Sequence, residues 1–224
     1  NAYTEQTIIS DKLNIDFIIK ETKRIYIERI NIFGNNVTRE NVIRNQLEID
    51  EGDPYNEILA KKSENNLKSL NFFKSVKTNI IEGKSQNSKI LNYTVEEKPT
   101  GEISAGAGVG TDGGTFSIGL NENNYLGKGL GVDAQATVSA DTFKGRFSVT
   151  NPNYNNTDKS IYMSVKAEET DKLKDFGYKT NKTGFDLGTS FEYLKDFNLG
   201  LAGSSFVEKM ETDSTASASQ KKQA

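Results

Sequence analysis

The sequence predicts a small α+β module of β-α-α-β-β order, followed by the N-terminal part of an antiparallel transmembrane β-barrel. Two observations carry this. From Gly101 onward, apolar and small polar residues exchange places at every second position, in seven runs broken by turns. Ahead of them, two strand patterns, two helical patterns and a polar hairpin fit a compact unit of mixed structure. Alternation over about 10 residues is how a spanning strand reads, one face toward lipid and the other toward the lumen. A soluble sandwich alternates too, so the period alone leaves the solvent open.

Composition narrows the choice. Of 224 residues, 34% are hydrophobic, and the mean hydropathy is −0.62. No run reaches the ~18 apolar residues of a transmembrane helix, but half of every barrel strand is polar or small, so a barrel stays open. Net charge is −3, with 15 basic and 15 acidic residues in the first 98 positions. Lys and Arg are scattered, which is no nucleic-acid footprint. Cys and His are absent, which excludes disulfides, thiol nucleophiles, Ser-His-Asp triads and ordinary zinc sites. No enzyme activity, metal or cofactor is expected. The chain begins at Asn1 without Met and ends in a polar tract after a strand pattern, so an internal fragment is expected.

In the first hundred residues, positions 12–20 alternate through Leu13, Ile15, Phe17 and Ile19, and positions 24–33 through Ile25, Ile27, Ile30 and Ile32. Gly34-Asn-Asn supplies turn chemistry. Thr38 is the expected N-cap of a short helix carrying Val42, Ile43 and Leu47. Glu51-Gly-Asp-Pro54 breaks that helix. A second is predicted over about 56–70, with Ile58, Leu59, Leu67 and Leu70 on one side and Phe72-Phe73 at its end. Strands over 76–81 and 90–95, joined by a polar hairpin, complete the module.

Spanning strands are predicted near 102–110, 114–122, 130–140, 143–151, 160–168, 183–193 and 197–208. Phe143, Phe147 and Val149 face out in the fourth, with Lys144 and Arg146 inward. The fifth points Ile161, Met163, Val165 and Ala167 out; the sixth sets Phe185, Leu187, Phe191 and Tyr193 against Asp186, Gly188, Ser190 and Glu192. This register keeps the strand-core charges off the lipid face, where Lys or Arg costs about 2–4 kcal/mol at mid-bilayer. A slip of one residue would expose all of them. By parity, turns 123–129 and 152–159 lie on the module's side of the membrane. Turns 111–114 and 141–142, a longer loop over 170–182, and the tract from 212 lie on the other. Seven strands do not close a bacterial barrel.

Several blocks carry a family resemblance. Phe33-Gly-Asn-Asn-Val-Thr, Val42-Ile-Arg-Asn-Gln-Leu-Glu-Ile-Asp-Glu-Gly-Asp-Pro-Tyr55 and Leu67-Lys-Ser-Leu-Asn-Phe-Phe-Lys-Ser-Val76 resemble a POTRA domain. Val95-Glu-Glu-Lys-Pro-Thr-Gly101 is similar to the passage from the last POTRA domain into the barrel of the BamA family. Gly106-Ala-Gly-Val-Gly-Thr-Asp-Gly-Gly114, Asn124-Tyr-Leu-Gly-Lys-Gly129 and Phe147-Ser-Val-Thr-Asn-Pro-Asn-Tyr154 follow in family order. The resemblance implies a bacterial outer-membrane protein with its POTRA domain in the periplasm. Residues 1–20 would end a preceding POTRA domain, 21–98 would be the last one, and 99–224 would be the first strands of the barrel. It implies the central component of the machinery that folds and inserts β-barrel proteins. The implied partners are unfolded outer-membrane β-barrel substrates, accessory assembly lipoproteins and outer-membrane lipid, with no nucleic acid. The family's Arg-Gly-Phe loop motif falls beyond residue 224. A related POTRA-barrel transporter, a TamA-like assembly factor or a two-partner secretion pore, is the alternative. A passive porin or surface adhesin fits the α+β module less well.

The candidate site is the first barrel strand: Glu102, Ile103, Ser104, Ala105, Gly106, Ala107, Gly108, Val109 and Gly110. Glycine inside a strand gives up packing and conformational entropy. The three here either make room for lumen-facing neighbours or loosen a seam. In the family this strand belongs to a gate that opens sideways, and its free edge templates incoming strands by β-augmentation. The strand over 76–81 is a second candidate edge, with an ordinary amphipathic edge as its plainer reading. The resemblance also ties Glu51 to docking the lipoprotein BamD, with Arg44 close by. The pairs Glu96-Glu97 and Glu168-Glu169 could suggest acid–base chemistry or calcium, but adjacent strand residues face opposite ways. The glycine-rich 106–114 stretch is no phosphate loop, because no Gly-Lys-Ser/Thr follows it.

Overall fold

The computed structural model describes residues 2–9, 12–19, 24–110, 113–195 and 197–224. Thr111 and Asp112, in the first predicted turn, lie outside the described residues, as do Lys20 and positions 21–23 at the expected domain boundary. Ahead of the α+β module lie two strands, β1 (Ala2–Ile9) and β2 (Lys12–Ile19), paired antiparallel. β1 has no regular alternation, yet its Tyr, Thr and Ile residues favour extended backbone.

In the module, β3 (Tyr26–Phe33) is followed by α1 (Glu40–Arg44), α2 (Glu57–Ser69), β4 (Phe73–Glu82) and β5 (Ser88–Glu97). The sheet order is β3-β5-β4, with β3 parallel and β4 antiparallel to β5. Ile43 from α1 and Leu67 from α2 join Ile27, Ile30, Leu91 and Tyr93 in one buried cluster. Fully burying each aliphatic side chain stabilises by about 1.5–3 kcal/mol.

Two helix expectations change. The N-cap position of α1 is Arg39, with no side-chain cap, because Thr38 is committed elsewhere. Asn56 caps α2 by accepting from the amides of Ile58 and Leu59. Its buried face runs through Ala60, Ser63 and Leu67, while Ile58 is 77% exposed. Leu59 and Leu70 pack at the margin of the core. Phe72 and Phe73 do more than end the helix: both are buried, edge to face, and Phe73 begins β4.

The two edges of this sheet differ. Along β3, the amide of Ile27 donates to Asp53 O, Gly52 donates to Ile27 O, and Tyr55 donates to Ile25 O. Loop 51–55 thus covers that edge. β4 is the opposite edge, so positions 76–81 lie on it.

Beyond the module comes a seven-stranded antiparallel meander: β6 (Gly101–Gly110), β7 (Gly113–Tyr125), β8 (Leu130–Ser139), β9 (Thr142–Asn151), β10 (Ser160–Lys172), β11 (Tyr178–Leu194) and β12 (Phe197–Thr212). The long external loop over 170–182 is largely strand. The ladder continues to Lys172↔Tyr178, and only α3 (Leu173–Phe176) and Gly177 turn the chain. Lys179 holds this extension by pairing with Glu169 at 2.8 Å and Asp171 at 3.4 Å. The polar tract after β12 folds over this tip into α4 (Ala218–Gln223), with a Ser217/Gln220 capping box.

Candidate functional site

The nine residues singled out on the first barrel strand lie together on β6, which is exposed at every position. Among the described residues, β6 pairs only with β7. On the lumen face three successive cross-strand pairs join one glycine to one hydroxyl: Ser104 with Gly119, Gly106 with Ser117, Gly108 with Thr115. A Cβ on Gly106 would meet Ser117 Oγ at 3.0 Å, and one on Gly108 would meet Thr115 Oγ1 at 3.2 Å. These two glycines make room for lumen-facing neighbours; Gly110 faces open space. The same arrangement leaves few side-chain contacts across this face, and such contacts are the unit of sheet stabilisation.

The sheet register separates two chemistries. One row across the outer face reads Ile103, Leu120, Ala134, Phe147, Val165 and Phe185. On the opposite face, Lys144 pairs with Glu168 at 2.8 Å, Lys166 with Asp186 at 2.6 Å, and Lys182 with Glu208 at 3.9 Å. Lys182 also sits 4.0 Å over the Phe206 ring. On the outer face of β10 and β11, charge appears only toward the α3 tip, at Glu169, Asp171 and Lys179. The apolar face therefore ends there, and the paired strands run past it.

The opposite end of the sheet meets the α+β module. Glu97, the last residue of β5, accepts three consecutive backbone amides: Asn36 and Val37 at 2.9 Å and Thr38 at 2.6 Å. Burial raises the Glu97 pKa, but these amides and the Thr38 hydroxyl outweigh it and hold the carboxyl below its ordinary value. Thr38 Oγ1 in turn accepts from Asn124 Nδ2 at 2.9 Å, with both side chains buried. Asn124 Oδ1 accepts the Gly129 amide at 2.7 Å, and the Arg39 amide donates to Gly127 O. Gly127 has φ +69°, and a Cβ there would lie 1.9 Å from Val37 O. Side-chain amides of Asn41, Asn45 and Gln46 reach Asn156 and Asn153 in the next turn.

Arg44 and Glu51 are brought together, 3.7 Å apart. Glu51 Oε1 accepts the Ile30 amide at 2.9 Å, and Arg44 Nη2 donates to Ile30 O at 3.0 Å. The pair thereby satisfies the outer edge of β3 as well as facing solvent. The suspected carboxylate pairs diverge. Glu96 turns to Lys74 while Glu97 enters the amide nest, and Glu168 pairs with Lys144 while Glu169 pairs with Lys179.

Sequence reasoning missed the joint. Thr38 reads as a helix cap, Glu97 as half of a solvated carboxylate pair, and Asn124 as part of a longer block. The two glycines after Asn124 were the available signal, since a tight turn there implies a close neighbour.

Residues 25–98 match the POTRA family, described as a surface antigen variable number repeat. The outer membrane protein assembly factor BamA of Neisseria meningitidis is 29% identical over 181 residues, covering 77% of this chain and 23% of that protein. BamA of Nitratidesulfovibrio vulgaris is 27% identical over 165 residues, covering 72% and 20%. The crystal structure of BamA from Haemophilus ducreyi lacking POTRA domains 1–3 aligns over 95% of this chain and 41% of that one, with TM-score 0.77 at 20% identity. The chain fits a fragment of the BamA family. It spans about a fifth to a quarter of the length of these curated BamA relatives. CdiB from Escherichia coli shares the fold over 92% of this chain and 42% of that one, with TM-score 0.59 at 13% identity. These likenesses place the chain in the outer membrane, with its POTRA domain in the periplasm. Its curated relatives are assembly factors, not known enzymes.

Proposed function

We propose that the chain belongs to the central component of the outer-membrane assembly machinery, and that it folds and inserts β-barrel proteins by offering β6 as a template. The glycine–hydroxyl pairs that leave β6 few side-chain contacts with β7 support this reading. A nascent strand cannot leave its N–H and C=O groups unpaired in hydrocarbon, so a free edge at the bilayer lowers the barrier to entry. The work is non-covalent. Substrates are unfolded outer-membrane β-barrel chains, and the surrounding solvent is outer-membrane lipid. Glu51 and Arg44 are the proposed docking point for an accessory lipoprotein; Glu51 is 46% exposed at its side chain.

Single cysteines at Ser104, on the lumen face, and Ala107, on the lipid face, test the template in the intact protein. Adducts with nascent barrel strands are expected at both. No adduct with any barrel substrate would remove β6 from the role. The likeness to CdiB supports a second reading, a POTRA-barrel secretion pore. In that case the same cysteines would capture a secreted passenger and not barrel strands.

A further inference from the structure

We propose that Glu97, Thr38, Asn124, Glu122 and Thr100 form a polar latch that positions the root of β6 against the POTRA domain. The inference rests on the reading of β6 as a template strand and names what aims it. β5 ends at Glu97 and β6 begins at Gly101, so only Lys98, Pro99 and Thr100 link the domain to the sheet. A three-residue link containing proline would pass for a hinge.

The side chains on either side close a ring around it. The Glu97 carboxylate gathers the amides of Asn36, Val37 and Thr38. The Thr38 hydroxyl accepts from Asn124. The Asn124 backbone amide donates to Glu122 Oε1 at 2.7 Å, and the Thr100 hydroxyl donates to the same oxygen at 2.5 Å. Thr100 directly precedes β6, and the backbone from 97 to 100 completes the circuit. A second tie runs alongside, from the Arg39 amide to Gly127 O, at a turn too close to Val37 for any side chain.

Thr38 is 2% exposed and Asn124 5%. Breaking their bond leaves buried polar groups unsatisfied, and networks of this kind hold one arrangement when every member is paired. The POTRA domain and the β6–β7 hairpin therefore move as one body. Reorientation of the domain reaches the edge strand and is not absorbed in the linker. Glu97 and Thr38 are positioning residues, acting on substrate only through β6.

The test uses the full-length protein in phospholipid vesicles, with spin labels at Lys77→Cys on β4 and Ala140→Cys at the β8–β9 turn. One narrow distance distribution is expected. Thr38→Val keeps the shape but removes the hydroxyl, and should raise the population outside that distribution by about fivefold to tenfold. Thr38→Ser should restore it, a rescue that a purely packing role would not give. Glu97→Gln, which sets amide hydrogens against the three donors, should broaden the distribution as Thr38→Val does and lower the cross-link yield at Ser104. Distances that stay narrow in both Thr38→Val and Glu97→Gln would overturn the latch, whatever β6 does. Distances that respond while the unmutated joint gives no substrate adduct at Ser104 would instead sink the template reading.

Discussion

Lys166 and Asp186 meet across β10 and β11, Nζ to Oδ2 at 2.6 Å, on the face opposite the apolar rows. The hydroxyls of Ser164 and Ser204 donate to the same carboxylate, at 2.6 and 2.7 Å. Three strands therefore converge on one side chain. Asp186→Ala strands an ammonium and two hydroxyls and is expected to destabilise the folded protein by about 1–3 kcal/mol. Lys166→Met leaves the two hydroxyl bonds and should cost less. Urea unfolding from detergent micelles measures both; equal losses would show that the pair, not the carboxylate hub, carries the stability.

The two faces of β9 make a second test, because Phe147 and Ser148 are neighbours in sequence and opposites in environment. Phe147→Arg puts a cation into the outer apolar row and should cost about 2–4 kcal/mol in a bilayer. Ser148→Arg points toward the charged face and should cost little. Folding yield into phospholipid vesicles separates them; equal yields would contradict the register.

What was readable in the sequence follows the range of the interactions. The seven strands were legible because period-2 alternation is local and charges fall on one parity, as Lys144, Lys166 and Asp186 show. Helix α2 is legible through the spacing of Leu59, Leu67 and Leu70, though Ile58 falls on the exposed face. The joint was not legible. Thr38 and Asn124 are 86 positions apart, and Thr38 and Glu97 are 59. A threonine just before a helix has a local use as a cap, and only the topology brings it a better partner. The strand pairs within 170–182 escape a sequence reading for a related reason. Their charged residues read as loop, whereas cross-strand ion pairs with Lys179 keep them extended.

The glycine–hydroxyl pairs between β6 and β7 predict a reciprocal effect. Gly106→Ala places a Cβ where Ser117 Oγ lies 3.0 Å away, so the serine must yield. Gly106→Ser combined with Ser117→Gly exchanges the two and restores the fit. A double-mutant cycle should show coupling of about 0.5 kcal/mol or more, since the sites touch. Additive losses would mean that Gly106 matters for chain flexibility and not for space.

Glu51 serves two roles that one substitution confuses. Glu51→Ala removes the acceptor for the Ile30 amide and is expected to loosen β3, at a cost of about 1–2 kcal/mol, besides any loss of docking. Hydrogen exchange at Ile30 reports the first effect, and pull-down of an accessory lipoprotein reports the second. Arg44→Lys keeps the charge while losing the fork that bridges Glu40 and Ile30, and should speed exchange less. If Glu51→Ala leaves exchange at Ile30 unchanged, the side chain is free for a partner alone.

Acid should loosen the POTRA domain through Glu64. This residue is 9% exposed on α2, paired with Lys61 and Lys68. Burial alone would raise its pKa, but the hydrogen bonds from Lys68 and Lys61 prevail and lower it from 4.5 to about 2. A carboxyl with a depressed folded pKa binds its proton more weakly than the unfolded chain does. Its stabilisation is complete above pH 4.5 and drains away as pH falls toward 2. Hydrogen exchange of the β4 and β5 amides in the intact protein should therefore accelerate through that window. Glu64→Gln, already neutral, should be less protected at neutral pH and should flatten the acid response. An acid profile unchanged by Glu64→Gln would assign the effect to other carboxyls, with Glu97 the next to examine, because its depressed pKa places its loss on the same acid side.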